Sequence, residues 1–165
     1  MISRILYATD LGLYGPYIMS QVALLAQTTG AKVDIVHVIE PLGIFAESII
    51  DTYLPVEKAQ ALRGSEMDKV LANIKEQVID TLESDYQIEL STILLGDVII
   101  EVGKPADIIL SEAKKREADL IIVGSHGQHA YRAGLIGSVV TKILQLSTIP
   151  VYMIPMVNLN ELGRS

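Results

Sequence analysis

Short runs of aliphatic residues alternate with longer amphipathic segments along almost the whole chain, and this alternation is the strongest constraint on the fold. The predicted strands are rich in apolar residues and cover Ile2–Thr9, Lys32–Ile39, Val98–Val102, Asp119–Val123 and Pro150–Ile154. Strands of this kind belong to parallel sheets that are covered on both faces. Because the crossovers between parallel strands are right-handed, the sequence predicts a doubly wound α/β fold. Its centre would be a single layer of five parallel strands, with helices on both faces.

The segments between the predicted strands carry the spacing of amphipathic helices. Helices are predicted over about 16–29, 60–84 and 105–117, and from Gly137 or Ser138 to about Leu146. The helix over 60–84 has an apolar stripe of Met67, Val70, Leu71, Ile74, Val78 and Leu82.

Two segments are less regular. Residues 41–60 are interpreted as irregular, with at most a short helical turn. Residues 88–102 are strand-like on both sides of Gly96 and Asp97, so they form either a hairpin or a loop that leads into one strand at Val98–Val102.

The composition excludes several classes of protein. A chain of 165 residues is typical of one domain, which we place at 1–155, followed by a C-terminal tail at 156–165. The absence of cysteine excludes disulfides, thiolate metal sites and a cysteine nucleophile. A net charge of −7 argues against bulk binding to nucleic acid or anionic membranes. No stretch has the apolar character of a signal peptide or membrane span, so we expect a cytoplasmic protein without membrane insertion.

Polar residues and glycines gather where the predicted strands end. These ends are Ala8–Asp10, His37–Val38 and Gly124–Gly127, and a helix follows at Gly137–Ser138. In an open parallel sheet, ligands bind at the carboxyl ends of the strands, and the start of a helix favours phosphate. The alternative is that this glycine-rich loop connects a strand to a helix and holds no ligand.

Motifs of other nucleotide-binding and catalytic proteins are absent. The chain has no Gly-Lys-Ser/Thr of a P-loop, and the first predicted strand is followed by Asp-Leu-Gly-Leu-Tyr-Gly instead of Gly-x-Gly-x-x-Gly. Gly124-Ser-His-Gly127 does not match the Gly-x-Ser-x-Gly of a nucleophile elbow. Kinase, P-loop and dinucleotide-dehydrogenase functions therefore lose support. We assign no catalytic residue and expect at most slow ATP hydrolysis.

With these pieces in register, the chain resembles the universal stress protein family from Ile2 to about Pro155. The matching segments are Ile5–Asp10, His37–Val38, Gly103–Pro105, Ala118–Gly127 and Ile149–Ile154. The family spacing Gly-x2-Gly-x9-Gly-Ser/Thr is met by Gly124, Gly127, Gly137 and Ser138. In that family the spacing marks the ATP-binding subgroup. The resemblance implies a Rossmann-like fold of the adenine nucleotide alpha hydrolase type.

The resemblance also implies a set of nucleotide-binding residues. Ala8, Thr9 and Asp10 would line the base and ribose, with Asp10 also facing a divalent ion. The Val38 backbone would form a hydrogen bond with the adenine edge. The glycine-rich loop would wrap the ribose and phosphates, and the following helix start would hold the outer phosphates. The full set is Ala8, Thr9, Asp10, Val38, Val123, Gly124, Ser125, His126, Gly127, Gln128, His129, Gly137, Ser138 and Val139.

Two positions depart from the family pattern. Gln128 stands where a basic residue often follows the second glycine, and Thr141 stands where a helical acidic residue is common. Arg132 is a candidate to replace the missing positive charge. His126 and His129 could also contact phosphate or, together with Asp10, a metal ion, but solvated loop histidines are the commoner case. His37, between two valines in a β run, is interpreted as structural.

The predicted function is that of an ATP-binding universal stress protein, a homodimeric and nucleotide-responsive regulator in the stress response. ATP, ADP or AMP is the expected cofactor, with or without Mg²⁺, and the regulated protein is unknown. The Pro150–Ile154 edge strand would pair with a second copy. The alternatives are a nucleotide-free interaction module that regulates a transporter or other partner, and a slow ATPase.

Overall fold

The computed structural model describes residues 1–12, 14–41, 43–125 and 136–156. Five strands form one sheet: β1 (Arg4–Ala8), β2 (Lys32–Ile39), β3 (Leu94–Val102), β4 (Leu120–Gly124) and β5 (Val151–Ile154). The helices are α1 (Gly15–Thr29), α2 (Ile44–Tyr53), α3 (Val56–Arg63), α4 (Ser65–Asp85), α5 (Gln87–Ser91), α6 (Pro105–Lys115) and α7 (Ser138–Leu146). Within the described residues, no helix has the length and apolar character to cross a membrane.

The sheet is parallel throughout, and its strand order is β3-β2-β1-β4-β5. The chain therefore winds outward from β1 in both directions, and the order reverses between β1 and β4. Two apolar clusters cover the two faces of the sheet. One packs β1 and β2 against α1 and α4, and the other packs β1 and β4 against α6 and α7. The predicted five-stranded, doubly wound parallel fold is confirmed.

The prediction that residues 41–60 are irregular is wrong. The segment contains all of α2 and the first part of α3, which Leu54 and Pro55 separate. The Arg63 Nη2 atom joins the two helices, because it lies 2.6 Å from Glu47 Oε2 and 2.8 Å from Asp51 Oδ1. These helices are short, and Pro55 interrupts the periodicity that would have indicated them.

Neither alternative for residues 88–102 matches the structure. The segment begins within α5 and continues as one long strand, β3, which runs through Gly96 and Asp97. The pairing of β3 with β2 shifts register between Val33 and Ile35. This irregularity lets the chain keep an extended course through a Gly-Asp pair that usually indicates a turn.

The apolar stripe predicted for the long helix is buried only at its carboxyl-terminal half. Val78 and Leu82 of α4 are buried, and Ile74 packs against the same cluster. Val70, near the start of α4, is half exposed. The other predicted elements are present, and the ends of most of them shift by one to a few residues.

Candidate functional site

A cavity of about 650 Å³ lies at the carboxyl ends of the strands, where the order of the sheet reverses. Its size is within the range of small-molecule sites. The residues that line the cavity come from β1, β2 and β4, the segments that follow β1 and β2, and the helices α1, α6 and α7 with Gly137. They are Tyr7, Ala8, Thr9, Asp10, Ile18, His37, Val38, Ile39, Glu40, Pro105, Ile109, Val123, Gly124, Gly137, Ser138, Val139, Val140 and Ile143.

The loop after β1 is held by its own side chains. Oγ1 of Thr9 accepts a hydrogen bond from the Leu11 N–H at 3.0 Å. Oδ1 of Asp10 accepts one from the Gly12 N–H at 2.9 Å. These short-range bonds close a turn in which Leu11 adopts a φ of 58°. Thr9 and Asp10, which supply the side chains of this turn, line the cavity.

The carboxylate of Asp10 faces the protein as much as the cavity. Oδ1 is bonded within the loop, and Oδ2 is buried. A divalent ion at Asp10 would therefore meet a carboxylate that already accepts a hydrogen bond within its own loop. Within the part of the chain that the structure describes, no group of three or more His, Asp or Glu side chains is arranged to hold a metal ion.

Two tyrosines lie beneath this loop. Burial raises the pKa of the Tyr7 phenol above its ordinary range, and the negative charge of Asp10 adds to that increase. Burial likewise raises the pKa of Tyr86, with further contributions from Asp85 and Asp10. The Tyr86 hydroxyl packs against Gly15 so closely that a β-carbon there would collide with it. Both phenols are therefore neutral near pH 7 and serve as rigid supports.

His37, near the end of β2, lines the cavity and makes a hydrogen bond that the sequence analysis did not indicate. Its Nδ1 atom lies 2.9 Å from the carbonyl oxygen of Thr9. The imidazole thereby joins the β1–α1 loop to β2, next to Val38. The sequence analysis placed His37 at a strand end beside the predicted binding residue Val38 and interpreted it as structural, but it did not indicate Thr9 as the partner.

The opposite wall is formed by the end of β4 and the start of α7. Ser125 is locked in place, since its N–H donates to the Ile154 carbonyl and its carbonyl accepts from the Gly137 N–H, each at 2.9 Å. Its Oγ accepts a hydrogen bond from the Met156 N–H at 2.9 Å. Gly137 therefore lies next to the β4 end although the two are distant in sequence.

Helix α7 begins at Ser138, with Gly137 as its N-cap, and no side chain bonds the amide groups at this end. The amide groups of the first turn have no intrahelical partner, and the helix dipole makes this end positive. The described lining residues with a full negative charge are Asp10 and Glu40. The α7 start is accordingly the part of the described wall that is best suited to an anion.

Most of the predicted binding residues surround this one cavity: Ala8, Thr9, Asp10, Val38, Val123, Gly124, Gly137, Ser138 and Val139. Ser125 lies beside them but does not line the wall. His126, Gly127, Gln128 and His129 lie outside the described residues, as does Arg132. The sequence did not indicate the apolar wall from Ile18, Pro105, Ile109 and Ile143 or the acidic Glu40.

The chain matches a known protein family along almost its whole length. A family model described as "Universal stress protein family" matches residues 1–155. The chain belongs to the universal stress protein family. Universal stress protein YxiE of Bacillus subtilis is 26% identical over 155 residues, which cover 93% of this chain and 99% of that protein.

Solved structures show the same architecture. The chain is similar to MJ0577, the universal stress protein of Methanocaldococcus jannaschii, with a TM-score of 0.70, 25% identity, and coverage of 96% of this chain and 99% of the other. A universal stress protein of Archaeoglobus fulgidus in complex with dAMP superimposes with a TM-score of 0.56 and 18% identity, over 93% of this chain and 98% of the other. That likeness shows a shared fold.

Proposed function

We propose that this member of the universal stress protein family binds an adenine nucleotide in the cavity between β1 and β4 and acts as a nucleotide-responsive regulator in the stress response. The observation that carries the proposal is the convergence of the β2 end, the β4 end and the α7 start on one cavity of about 650 Å³. A strand end offers backbone groups to a base, and a helix start offers amide groups to phosphate.

The base and ribose would occupy the side of the cavity formed by β1 and β2. Ala8, Thr9 and Asp10 would line them, and the backbone of Val38 would bond the edge of the adenine. The apolar side chains of Pro105 and Ile109 belong to the same wall and offer contact to a planar ring.

The phosphates would lie towards α7. The amide groups of Ser138 and Val139 and the Ser138 hydroxyl are the described donors at this end. Val123, Gly124 and Ser125 would lead into the loop that carries the predicted residues His126, Gly127, Gln128 and His129. ATP is the nucleotide that the glycine spacing favours, and ADP and AMP are the alternatives.

A divalent ion would reach the protein through the phosphates more readily than through Asp10, since the Asp10 carboxylate is engaged in its own loop. We propose no enzymatic turnover beyond slow hydrolysis. The dAMP complex of the Archaeoglobus protein supports an adenine ligand for this fold, although the ligand is a property of that protein.

The proposal includes a cytoplasmic homodimer that pairs along β5, and a regulated protein whose identity is open. Nucleotide would act as a signal if it ordered the cavity loops in one state of the dimer better than in another. The competing function is a nucleotide-free interaction module, which the acidic lining residues Asp10 and Glu40 favour because they repel phosphate.

Nucleotide content is the first test. The protein is purified without added nucleotide and denatured with acid, and the released small molecules are identified by ion-exchange chromatography with mass detection. Calorimetric titration with ATP, ADP, AMP and GTP follows on any protein that is empty. Stoichiometric adenine nucleotide, or saturable binding that prefers adenine to guanine, supports the proposal. An empty protein that binds none of the four favours the interaction module.

Gly137→Val tests the location of the site. Gly137 has a φ of −63° and a ψ of 152°, a conformation open to any residue, so the backbone should accept the change. We expect the added side chain to fill the cavity beside the α7 start and to abolish binding while the protein stays folded. Unchanged affinity in the same titration would place the nucleotide elsewhere.

A further inference from the structure

The imidazole of His37 and the carbonyl of Thr9 form a bond whose direction is fixed by chemistry. The Nδ1 atom lies 2.9 Å from the carbonyl oxygen. Because a carbonyl oxygen only accepts hydrogen bonds, Nδ1 carries the hydrogen and donates it. Thr9 is buried, so its carbonyl oxygen would cost free energy if it had no donor from the protein.

This bond stands at the point where β1 and β2 separate. The Lys32 N–H donates to the Ser3 carbonyl, and the Thr9 N–H donates to the Val36 carbonyl, both at 2.9 Å. In an ideal parallel ladder the next bond would join the Val38 N–H to the Thr9 carbonyl. The regular pairing instead ends at Ala8 and Val36, and the imidazole reaches the Thr9 carbonyl.

The backbone of Val38 consequently faces the cavity. Successive backbone groups of a strand point towards opposite neighbouring strands. The Ile39 carbonyl accepts the Gly103 N–H at 2.9 Å, on the side of β3. The N–H and carbonyl of Val38 therefore point to the side of β1, beyond the last regular pair, and Val38 lines the cavity wall.

We infer that His37 is a positioning residue for the nucleotide base: its side chain takes the place of the Val38 N–H at the Thr9 carbonyl and keeps that N–H available to the ligand. The inference rests on the proposed function, because it requires a base in the cavity. Without the imidazole, the buried Thr9 carbonyl would draw the Val38 N–H into the ladder and close this edge of the cavity.

A matched pair of variants separates the effect of losing the hydrogen-bond donor from the effect of changing the side-chain volume. His37→Asn keeps a donor, because the Asn Nδ2 atom occupies the same place along the side chain as the His Nδ1 atom. His37→Leu has a similar size and shape to Asn but no donor. Calorimetric titration of the wild type and both variants uses ATP and adenosine, since adenosine reports on the base and ribose without phosphate.

We expect His37→Leu to lower the affinity for ATP and for adenosine by the same factor. That factor is about tenfold, which corresponds to about 1.4 kcal/mol of binding free energy. His37→Asn should stay within about threefold of the wild type. A long-range ¹H–¹⁵N spectrum of the wild type should show the Nδ1–H form of His37. Thermal unfolding without ligand identifies a variant that has lost its fold.

The inference is overturned if His37→Leu binds as the wild type does, if folded His37→Asn is as weak as His37→Leu, or if the spectrum shows the Nε2–H form. A loss for ATP without a loss for adenosine would also contradict it, because the effect would then lie at the phosphates. If the wild type binds neither ligand, the proposed function itself fails, and the inference fails with it.

Discussion

Nε of Arg4 donates a hydrogen bond to Oδ2 of Asp34 over 2.8 Å, and the Asp34 carboxylate is almost completely shielded from solvent. The other oxygen, Oδ1, accepts the Asp97 N–H at 2.8 Å. Nη1 of Arg116 lies 3.7 Å from Oδ2 and 2.7 Å from the carboxylate of Asp97. These residues join β1, β2, β3 and the end of α6 at the amino ends of the strands, opposite the cavity.

Removing the charge of Asp34 should therefore be costly. A buried ion pair that loses one partner leaves the other charge uncompensated, and we expect Asp34→Asn to lower the free energy of unfolding by about 3 kcal/mol. Urea unfolding at pH 7 measures the change. Asp51→Asn is the control, because Asp51 forms an exposed pair with Arg63 and its loss should cost below about 1 kcal/mol. Equal losses in the two variants would show that burial does not set the value of the Arg4–Asp34 pair.

The position of the Asp34 carboxylate also requires a glycine at position 96. A β-carbon at this position would collide with Oδ1 of Asp34, the atom that accepts the Asp97 N–H. Gly96→Ala should destabilise the protein by about 2 kcal/mol, since the buried group must move. Gly43→Ala has no atom within 4 Å of its added carbon, so it should cost only the loss of a favourable N-cap residue of α2, below about 1 kcal/mol. The two denaturation midpoints give the comparison, and a harmless Gly96→Ala would mean that β3 adapts at its irregularity.

Acid should unfold the protein through carboxylates that are bonded in the native state. Hydrogen bonds from the Ser3 hydroxyl, and from the N–H groups of Ser3 and Arg4, lower the pKa of Asp119. Burial alone would raise the pKa of Glu112, but bonds from Arg116 and Lys115 outweigh it and lower the pKa. A carboxylate with a lowered native pKa stabilises the fold above its unfolded pKa, and this contribution is lost as pH falls through the native value.

Stability should thus hold between pH 7 and 5 and fall below about pH 4, where unfolded carboxyl groups take up protons. Asp119→Asn should be less stable than the wild type at pH 7 and should lose less on acidification. Urea midpoints between pH 7 and 3 test both statements. Asp80→Asn, on exposed α4 surface, should follow the wild-type profile. An Asp119→Asn profile parallel to that of the wild type would remove Asp119 from the acid response.

The sequence was sufficient for the elements that follow a clear period. The strands β2 and β4 carry near-continuous aliphatic runs, and α1 has its stop signal at Gly30, which the structure places at a φ of 71°. The helices α2, α3 and α5 were missed because each is short and because large apolar residues on them, Ile49, Tyr53, Val56 and Ile88, are exposed. Their formation depends on contacts such as Arg63 with Glu47, which no local pattern indicates.

The candidate site could likewise be predicted only in part from the sequence. The strand ends at Ala8–Asp10 and Val38 and the helix start at Gly137–Ser138 could be placed at one edge, since parallel strands share a direction. The bond from His37 to Thr9 could not, because it depends on where the β1–β2 ladder stops. The contacts of Asp34 could not be predicted either, because Arg116 and Asp97 come close to it only through the packing of α6 and β3.

Ser138→Asp should separate phosphate binding from helix stability. An acidic residue in the first turn of α7 stabilises the helix by about 0.5 kcal/mol, but it repels a phosphate at the same place. We expect ATP affinity to fall about tenfold while adenosine affinity stays within about twofold. Calorimetry gives the affinities, and thermal unfolding gives the stability.

Ser65→Asp makes the same change in charge at the start of α4, which does not line the cavity, and should leave both affinities unchanged. If Ser138→Asp bound ATP as tightly as the wild type, the phosphates would not lie at the α7 start. If adenosine binding also fell about tenfold, the substitution would be acting on the whole cavity instead of on the phosphates.

The proposed dimer can be tested at one backbone group of β5. The carbonyls of Pro150 and Ile154 accept hydrogen bonds from Ile121 and Ser125 on the β4 side. Since strand groups alternate, the N–H of Met153 points away from β4 to the free edge. Met153→Pro removes this donor and leaves the β4–β5 bonds in place, and edge positions tolerate proline. Size-exclusion chromatography with light scattering should show a wild-type dimer and a monomeric variant, whereas Met153→Val, which keeps the N–H, should remain dimeric. A dimeric Met153→Pro protein, or a monomeric wild type, would exclude pairing along β5.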